Sequence, residues 1–482
     1  MTITAAFIVA VMAYSQDPFT HDPSFYTTIT TPVSGLGPNI SSILPLEDSS
    51  LIISGDFRFI GDPNQNRRGA RLFPNGARDP DFPYNTSMNG KISRWNDRYL
   101  CGMKRFFFDG TADPDFLPLY MNPEFSPMQE YDHHMFGDGS LVIGGYHMLL
   151  DTAHGFTGPH NFIWFTNTGH LDTTKVHRSG NGSISMIKHL PDGKFICSGF
   201  TTMQDGIPVS KVFRMNSDGS VDTTFNAPIN WGRAWSCTPL ADGKMIVSGF
   251  FKLNDAPDDT LHILRLMPSG EIDPTFNNDL EIYWPFAGQF LPLLHTRLES
   301  GAIVLHGSFT LVEGEPRGGI AILNETGYLS DYAFTEEGCG TFTFNDFPYG
   351  ATQGMVEGYD GMWYIYGSYI GYDGNGQQRF VTRLYPPDLS IGLQELKGEK
   401  PAIIIYPNPA TDHIKIDLGS LINFGDHFIQ ITDIYGRSAL HIRCPNRTQI
   451  LDVDITSLPS GIYTVQLTAA DVILGSAKLA LK

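Results

Sequence analysis

Four short stretches of the 482-residue chain hold the side chains best suited to metal binding or acid-base catalysis. DHHM (132–135) sets two histidines beside an acid, but neighbours on a strand face opposite ways and would not chelate one metal. YDGNGQQ (372–378) resembles a calcium loop, yet it lacks the spaced carboxylates such a loop needs, so a turn is favoured. The acid pairs at 258–259 and 336–337 could serve a glycosidase, although solvated loop charge is the default interpretation.

Motifs that carry catalysis are otherwise missing from the sequence. It contains no G-x-S-x-G elbow, no H-E-x-x-H pair and no Walker loop, and its five cysteines include no C-x-x-C pair. The sequence therefore predicts no catalytic residues, no cofactor and no bound metal. We expect a protein that is not an enzyme.

Four aromatic residues are the better candidates for ligand contact. Trp231, Trp235, Trp284 and Tyr349 fall in connections between repeated units, with carboxylates nearby. Aromatic faces suit the C–H face of a sugar ring, and acids suit its hydroxyls. The alternative is that these side chains pack between units, and the sequence leaves both open.

Composition limits what positions these residues. Fifty Gly, 32 Pro and 12% aromatic residues, with only 17% charged, favour short strands joined by tight turns, an all-β fold. The formal net charge of -19 would repel phosphate backbones, so we expect no nucleic-acid partner. After the N-terminus no segment approaches the roughly twenty apolar residues of a membrane-spanning helix.

A repeat supplies the architecture, as LPDGKFICSGF (190–200) and LADGKMIVSGF (240–250) show. Each repeat contains an apolar run ending in glycine, Asp-Gly turns suited to hairpins, and a closing DxxF element. A spacing of roughly fifty residues is typical of propellers, whose small sheets stack around an axis. The glycines that end the apolar runs are Gly55, Gly102, Gly145, Gly199, Gly249, Gly307 and Gly367.

The closing element is missing from the last repeat, whereas DPSF (22–25) stands before any complete repeat. We expect the N-terminal segment to complete the last sheet, which gives a seven-bladed propeller. The pattern DGKhhhxGxF followed by hxRhxxDGxhDxxF, with h apolar, resembles the delta-60 repeat, a bacterial β-propeller family of the DUF5122 type. That resemblance implies a fold and no activity.

The last 82 residues differ from the repeats. Apolar runs of five to eight residues, separated by Asn-Pro, Tyr-Gly and Pro-Ser-Gly turns, predict a small immunoglobulin-like antiparallel β-sandwich. Three phrases resemble the C-terminal sorting domain of the type IX secretion system of Bacteroidetes. Their residues are Tyr406, Pro407, Asn408, Pro409 and Asp412, then Asp433, Gly436 and Arg437, then Leu458, Pro459, Gly461 and Tyr463, with Lys478 near the end.

That resemblance implies export through the periplasm to the outer-membrane surface or the medium, with the type IX machinery and a sortase-like protease as partners. An apolar run before Ala13 resembles a signal peptide. The predicted organisation is a signal peptide (1–15), a propeller (16–388), a linker (389–400) and a sorting domain (401–482). For the propeller we expect a binding or adhesion module for a glycan or surface protein; a polysaccharide hydrolase or lyase and a structural spacer are the alternatives.

Overall fold

The computed structural model describes residues 19–30, 39–62, 66–85, 87–129, 132–256, 258–284, 292–330, 338–344, 347–385, 403–417, 427–433, 438–444, 450–469 and 472–481. Two compact units divide the chain, Met1–Leu389 and Ser390–Lys482. Strands account for nearly all regular structure in the described residues, and Leu119–Met121 forms a single 3-10 turn. The structure is therefore all-β, as the composition predicts.

The strands of the first unit are β1 (Ile29–Thr30), β2 (Asn39–Pro45), β3 (Leu51–Phe59), β4 (Arg67–Leu72), β5 (Ile92–Trp95), β6 (Arg98–Cys101), β7 (Lys104–Phe107), β8 (Phe125–Gln129), β9 (His133–Met135), β10 (Leu141–Ile143), β11 (Tyr146–Asp151), β12 (Phe156–His160), β13 (Ile163–Phe165), β14 (Ile184–His189), β15 (Phe195–Gly199), β16 (Met203–Gln204), β17 (Ile207–Pro208), β18 (Val212–Met215), β19 (Ile229–Pro239), β20 (Met245–Leu253), β21 (Leu261–Leu266), β22 (Ile282–Tyr283), β23 (Leu294–Arg297), β24 (Ile303–His306), β25 (Leu311–Val312), β26 (Glu315–Pro316), β27 (Ile320–Leu323), β28 (Phe342–Phe344), β29 (Phe347–Tyr349), β30 (Ala351–Glu357), β31 (Trp363–Tyr372) and β32 (Asn375–Leu384).

Small antiparallel sheets form this unit, each built from strands close in the chain. The main sheets are β2-β3-β4, β5-β6-β7, β9-β10-β13, β14-β15-β18, β19-β20-β21, β23-β24-β27 and β30-β31-β32. Their first strands contact one another in chain order, and β30 contacts β2 in turn. Among the described residues these contacts close into a cycle, which is a propeller-like arrangement with the first strands innermost.

A repeated arginine-aspartate ion pair links the last strand of a sheet to its closing element, and the arginine also contacts the next sheet. Arg214, in the last strand of its sheet, donates from Nε to Asp222 of the closing element over 2.7 Å. Its Nη1 donates to the Pro268 carbonyl in the turn of the next sheet over 2.8 Å, and its guanidinium lies 5.0 Å from the centroid of Phe225. The closing element thus orients an arginine that donates to a carbonyl of the following sheet at Arg214, Arg105 and Arg265. Corresponding Nε–Oδ2 bonds of 2.6 to 2.7 Å join Arg71 to Asp79, Arg105 to Asp113 and Arg265 to Asp273.

The N-terminal segment supplies this element to the last sheet. Asp22 donates from its backbone N–H to the Arg383 carbonyl over 2.8 Å, as Asp222 does to Arg214 over 2.9 Å. Phe25 is fully buried against Tyr364, with ring centroids 5.7 Å apart. The predicted completion of the last sheet by residues 22–25 is therefore confirmed.

The third repeat exchanges two side chains of this arrangement. The backbone N–H of Asp172 donates to the Trp164 carbonyl over 3.0 Å. Trp164 therefore occupies the position that arginine holds in the other repeats. Lys175 occupies the position of the closing phenylalanine, and its Nζ lies 5.6 Å from the centroid of the Trp164 ring. The cation and the ring have exchanged places, and a cation-π contact is retained.

The second unit contains two antiparallel sheets. Its strands are β33 (Ile404–Tyr406), β34 (His413–Asp417), β35 (His427–Asp433), β36 (Ser438–Arg443), β37 (Ile450–Asp454), β38 (Gly461–Ala469) and β39 (Val472–Leu481). They are ordered β33-β34-β37 and β36-β35-β38-β39. Alternate residues of both sheets, including Ile414, Val453, Ile429 and Val465, form one buried core. One face of each sheet is therefore apolar, as alternation along the strands requires.

Candidate functional site

Four of the glycines that end the apolar runs mark a repeated β-bulge. Ala234 in β19 pairs with Gly249, and the register then shifts so that Trp235 has no cross-strand partner. A Cβ at Gly249 would lie 2.1 Å from the Arg233 carbonyl oxygen, so only glycine permits this approach. The same shift leaves Ser41, Ser185 and Gln353 unpaired opposite Gly55, Gly199 and Gly367. Because a bulge re-aims a side chain, the first strands present these residues differently from a regular strand.

Two of the bulged residues line a cavity among the innermost strands. The cavity measures about 340 Å³, and its walls include Ser185 and Trp235. Lys91 precedes β5, His133 begins β9, and Arg233 lies in β19, so four successive sheets contribute to one cavity. We call this cavity the axial pocket. Asn89 and Gly90 complete its lining.

An ion pair fixes one wall of the axial pocket. Lys91 Nζ donates to Asp132 Oδ1 over 2.9 Å and to the His133 carbonyl over 2.8 Å. Asp132 Oδ2 accepts from the Ile187 backbone N–H over 2.8 Å. Burial opposes ionisation of Asp132, but the positive charge of Lys91 and these hydrogen bonds hold its pKa below the usual value. Asp132 is therefore an ionised structural carboxylate.

His133 is held neutral beside that ion pair. Its side chain is buried, and Nε2 is 2.8 Å from Ser93 Oγ. Burial, reinforced by the charge of Lys91, lowers the pKa of His133 to about 3. The positive charge that faces the axial pocket at neutral pH therefore comes from lysine and arginine.

The guanidinium of Arg233 lies over two aromatic rings. Its guanidinium lies 4.3 Å from the Trp235 centroid and 5.0 Å from that of Phe200, which is 60% exposed. Phe250 lies 5.0 Å from Trp235 and 5.2 Å from Trp231 between ring centroids. We call Trp231, Trp235, Phe250 and Phe200 the aromatic ridge. Stacking restricts the rotamers of Arg233 before any ligand arrives.

The structure places the predicted aromatic residues unequally. Trp231 and Trp235 lie inside β19, so the prediction that they fall in a connection is wrong; the strand extends through NWGRAW because its bulges absorb the extra residues. Trp284 follows β22 and packs edge-on against Phe309, with ring centroids 6.0 Å apart. Its ring therefore packs within the first unit. Tyr349 ends β29, and its side chain lies outside the described residues.

Of the other candidates, His134 and the 372–378 stretch have structural roles. His134 stacks on His189 with ring centroids 4.4 Å apart. His133 instead bonds Ser93, so the two adjacent histidines have different partners. The 372–378 stretch contains a hairpin turn in which Asp373 and Gly374 both have positive φ. Among the described residues no group of three His, Cys, Asp or Glu side chains could hold a metal ion. The acid pair at 336–337 lies outside the described residues.

The sorting phrases meet at the end of the second unit. Asn408 donates from Nδ2 to the Lys478 carbonyl over 2.7 Å and accepts from the Ala480 N–H over 2.9 Å. Tyr463 donates from its hydroxyl to the Pro459 carbonyl over 2.8 Å, and Leu458 packs against the core. Five further motif residues are exposed, and the last of them is the first residue of β38: Tyr406, Pro407, Pro409, Asp412 and Gly461. Asp433 ends β35, but its side chain, like Gly436 and Arg437, lies outside the described residues.

Solved structures give only remote similarity. PorZ, a surface component of the type IX secretion system of Porphyromonas gingivalis, is 11% identical over 94% of this chain, which spans 61% of PorZ (TM-score 0.35). A protein of unknown function from Dyadobacter fermentans is 12% identical over 75% of this chain and 99% of its own (TM-score 0.29). A glycoside hydrolase is 9% identical over 96% of each chain (TM-score 0.25). No curated protein matches the chain.

Two family models match parts of the chain. Residues 190–225 and 240–276 match the DUF5122 β-propeller domain of unknown function, and residues 404–479 match the secretion system C-terminal sorting domain. Such a tail indicates secretion to the cell surface or beyond and implies interaction with the type IX machinery. No helix in the described part of the chain is long and apolar enough to cross a membrane. The chain therefore contains a DUF5122 β-propeller region and, after it, a C-terminal sorting domain that indicates an exported type IX cargo.

Proposed function

We propose that the exported protein is a non-enzymatic binding module that holds a glycan or surface-protein ligand at the axial pocket of a seven-bladed propeller. The cycle of main sheets and the pairing of His21 and Asp22 with β32 support the blade count. The second unit packs two sheets around one core as an immunoglobulin-like sandwich and serves as the export signal. A sortase-like protease removes it in the 389–400 linker.

The observation that carries this proposal is the convergence of Lys91 from one sheet and of Arg233 and Trp235 from another on one cavity. A few polar groups fix the orientation of a ligand in such a site, while an aromatic face supplies contact area. Separate sheets hold these side chains on rigid strands, which lowers the ordering cost of binding. A structural spacer has no need of this convergence.

The state of Asp132 supports binding without cleavage. Its oxygens accept from Lys91, Ile187 and the His133 backbone N–H, so the carboxylate is already occupied. A general acid for glycoside cleavage needs a raised pKa, whereas the pKa of Asp132 is lowered. His133 is neutral and bonds Ser93, so its imidazole has a structural role and does not serve as an acid or base.

The test is incubation of the purified full chain with plant, algal and host polysaccharides and with outer-surface proteins, scoring retention and released oligosaccharides. Retention that Trp235→Ala weakens, without released products, is the expected result. Released oligosaccharides would overturn the non-enzymatic assignment. Failure to retain any member of either panel would overturn the binding role in favour of a spacer.

A further inference from the structure

We infer that a cavity between the sheets β9-β10-β13 and β14-β15-β18 binds a guanidinium group of a ligand, which pairs there with the carboxylate of Asp172. This cavity shares no lining residue with the axial pocket, so the inference goes beyond the proposed function and does not depend on it. Equivalent positions in the other repeats of the chain show what this carboxylate would otherwise bind.

Asp172 is a closing aspartate that lacks the usual cation. Its Oδ1 accepts from the backbone N–H and the hydroxyl of Thr174 over 3.0 and 2.6 Å. Its Oδ2 has no ion-pair or hydrogen-bond partner in the described part of the chain. Within the same described residues, every other closing aspartate forms an ion pair with an arginine: Asp22 with Arg383, Asp79 with Arg71, Asp113 with Arg105, Asp222 with Arg214 and Asp273 with Arg265.

A lysine that approaches the equivalent carboxylate in the next repeat is also missing. Lys194 Nζ donates to Asp222 Oδ2 over 2.7 Å. Ser140 holds the position of that lysine after the Asp-Gly turn of the third repeat, and its hydroxyl donates within the turn to Asp138 over 2.7 Å. Asp172 therefore lacks both of the cations that neutralise its counterpart.

The second acceptor of the absent arginine is a backbone carbonyl. Arg214 Nη1 donates over 2.8 Å to the carbonyl of Pro268, which lies two residues after β21. Ser217 lies two residues after β18 and so holds the equivalent position opposite Trp164, whose indole supplies no guanidinium. Asp172 and Ser217 both line the cavity, so the two acceptors of the missing arginine belong to one wall.

The cavity measures about 600 Å³, which lies within the usual range for small-molecule sites. We call it the side pocket. Its lining includes the stacked rings of Phe136 and Trp164, whose centroids are 5.8 Å apart. A guanidinium pairs with a carboxylate and a carbonyl through its N–H groups and packs against aromatic faces, as Arg214 does in the next repeat. The side pocket offers a ligand this same combination of groups.

The charge of the side pocket also favours a cation. Lys175 is the one cation in its described lining; its Nζ lies 5.6 Å from the Trp164 centroid and forms no ion pair with a described carboxylate. Asp138 and Asp172 set two negative charges against this positive one. Burial lowers the pKa of His189, so that ring is neutral at pH 7. Loss of the lysine charge should therefore strengthen the binding of a cation.

Matched probes isolate the guanidinium charge. N-acetylarginine amide and N-acetylcitrulline amide have nearly the same shape and differ in charge, and ethylguanidine carries the group without a peptide. In ligand-observed NMR titrations with the full chain, the arginine probe should bind about tenfold or more tighter than the citrulline probe. Tighter binding of the arginine probe than of ethylguanidine would identify a peptide arginine as the source, and equal binding a free guanidine.

Variants assign the binding to the side pocket. Asp172→Asn keeps an acceptor for Thr174 and should reduce affinity for the arginine probe about tenfold, whereas Lys175→Gln should raise it. Asp242→Asn removes a negative charge from an exposed turn outside the side pocket, and as the control it should change neither.

A second variant tests the site if Asp172→Asn lowers the melting temperature. Trp164→Arg combined with Lys175→Phe places an internal arginine where it pairs with Asp172, so the arginine probe should no longer bind. Trp235→Ala, which tests the axial pocket, should leave binding of the arginine probe unchanged.

Three results would overturn the guanidinium site. They are equal affinity for the arginine and citrulline probes, full affinity in both Asp172→Asn and the double variant, and no binding of any probe up to about 10 mM. Each would leave the proposed function standing, because retention of a glycan or surface protein is measured separately and depends on Trp235.

Discussion

The carboxylate of Asp22 lies 3.2 Å from the guanidinium of Arg383, joining the N-terminal segment to the last strand of the first unit. Arg383 also donates to the Pro74 carbonyl in the turn of the first sheet over 3.2 Å. Elsewhere the corresponding arginine and aspartate belong to consecutive segments, as Arg214 and Asp222 do. At this one junction the ion pair closes the cycle of sheets with residues far apart in the chain.

Removal of residues 19–26 should therefore destabilise the first unit more than its length suggests. Asp22→Asn alone should lower the free energy of unfolding by about 2 kcal/mol, because it leaves a partly buried arginine without one carboxylate partner. The deletion should cost more, since the buried Phe25 is lost as well. Urea unfolding measures both changes.

Asp273→Asn provides the control, because it breaks the equivalent ion pair without opening the cycle. Hydrogen exchange should accelerate in β2–β4 and β30–β32 for Asp22→Asn only. Uniform acceleration in both variants, or no loss of stability on deletion, would contradict a closing role for the N-terminal segment.

The exchange in the third repeat predicts a non-additive pair of substitutions. Trp164→Arg alone places an arginine beside Lys175, and Lys175→Phe alone removes the cation over Trp164. Together they recreate the arrangement of Arg214, Asp222 and Phe225. We expect the double variant to be more stable than the sum of the single effects by about 1 kcal/mol or more, measured as a double-mutant cycle. A coupling energy near zero would show that the two positions do not act together.

Much of the first unit could be predicted because its determinants are local. Asp-Gly turns, apolar runs and the DxxF element recur in sequence, and the displaced DPSF predicted the pairing with the last sheet. The bulge could not be predicted in this way. It depends on the Arg233 carbonyl approaching Gly249 across two strands, and the sequence shows only that a glycine recurs.

The axial pocket was beyond sequence reasoning for a related reason. Lys91, His133 and Arg233 come from separate sheets, and no local pattern reports that the sheets converge. One signal was available in NWGRAW, where Arg233 lies two residues from Trp231 and from Trp235. Such spacing indicates a shared strand face, whereas the boundaries of the repeats place these residues in a connection.

Buried histidines predict loss of stability in mild acid. Burial lowers the pKa of His133, His295 and His306 to about 3 in each case. The unfolded chain binds protons near pH 6.5 while the folded chain does not, so stability is full above pH 6.5 and falls toward the folded pKa. Well below pH 6.5, each histidine should contribute a slope of about 1.4 kcal/mol per pH unit.

Urea unfolding between pH 7 and pH 4.5 measures that slope. His306→Gln should reduce it by one histidine's share, because the glutamine does not titrate. His170→Gln, at an exposed turn, is the control. An unchanged slope in His306→Gln would mean that His306 is protonated in the folded chain.

The hydrogen bonds of Asn408 to β39 predict that part of the sorting motif acts by stabilising the fold of the second unit. Both ends of its amide bond the backbone of β39, at Lys478 and Ala480. Asn408→Ala should leave two backbone groups without these partners, lower stability by about 1 to 2 kcal/mol, and accelerate hydrogen exchange in β39. Export should fall in the same variant, with the chain accumulating in the periplasm as it should when residues 401–482 are deleted.

Lys478→Ala separates recognition from folding. Its side chain is exposed, and Asn408 bonds only its carbonyl, so exchange in β39 should be unchanged. If Lys478→Ala also blocks export, the lysine side chain contacts the export machinery directly. If Asn408→Ala blocks export while β39 stays fully protected, the amide is itself recognised, and the structural explanation of that motif position is wrong.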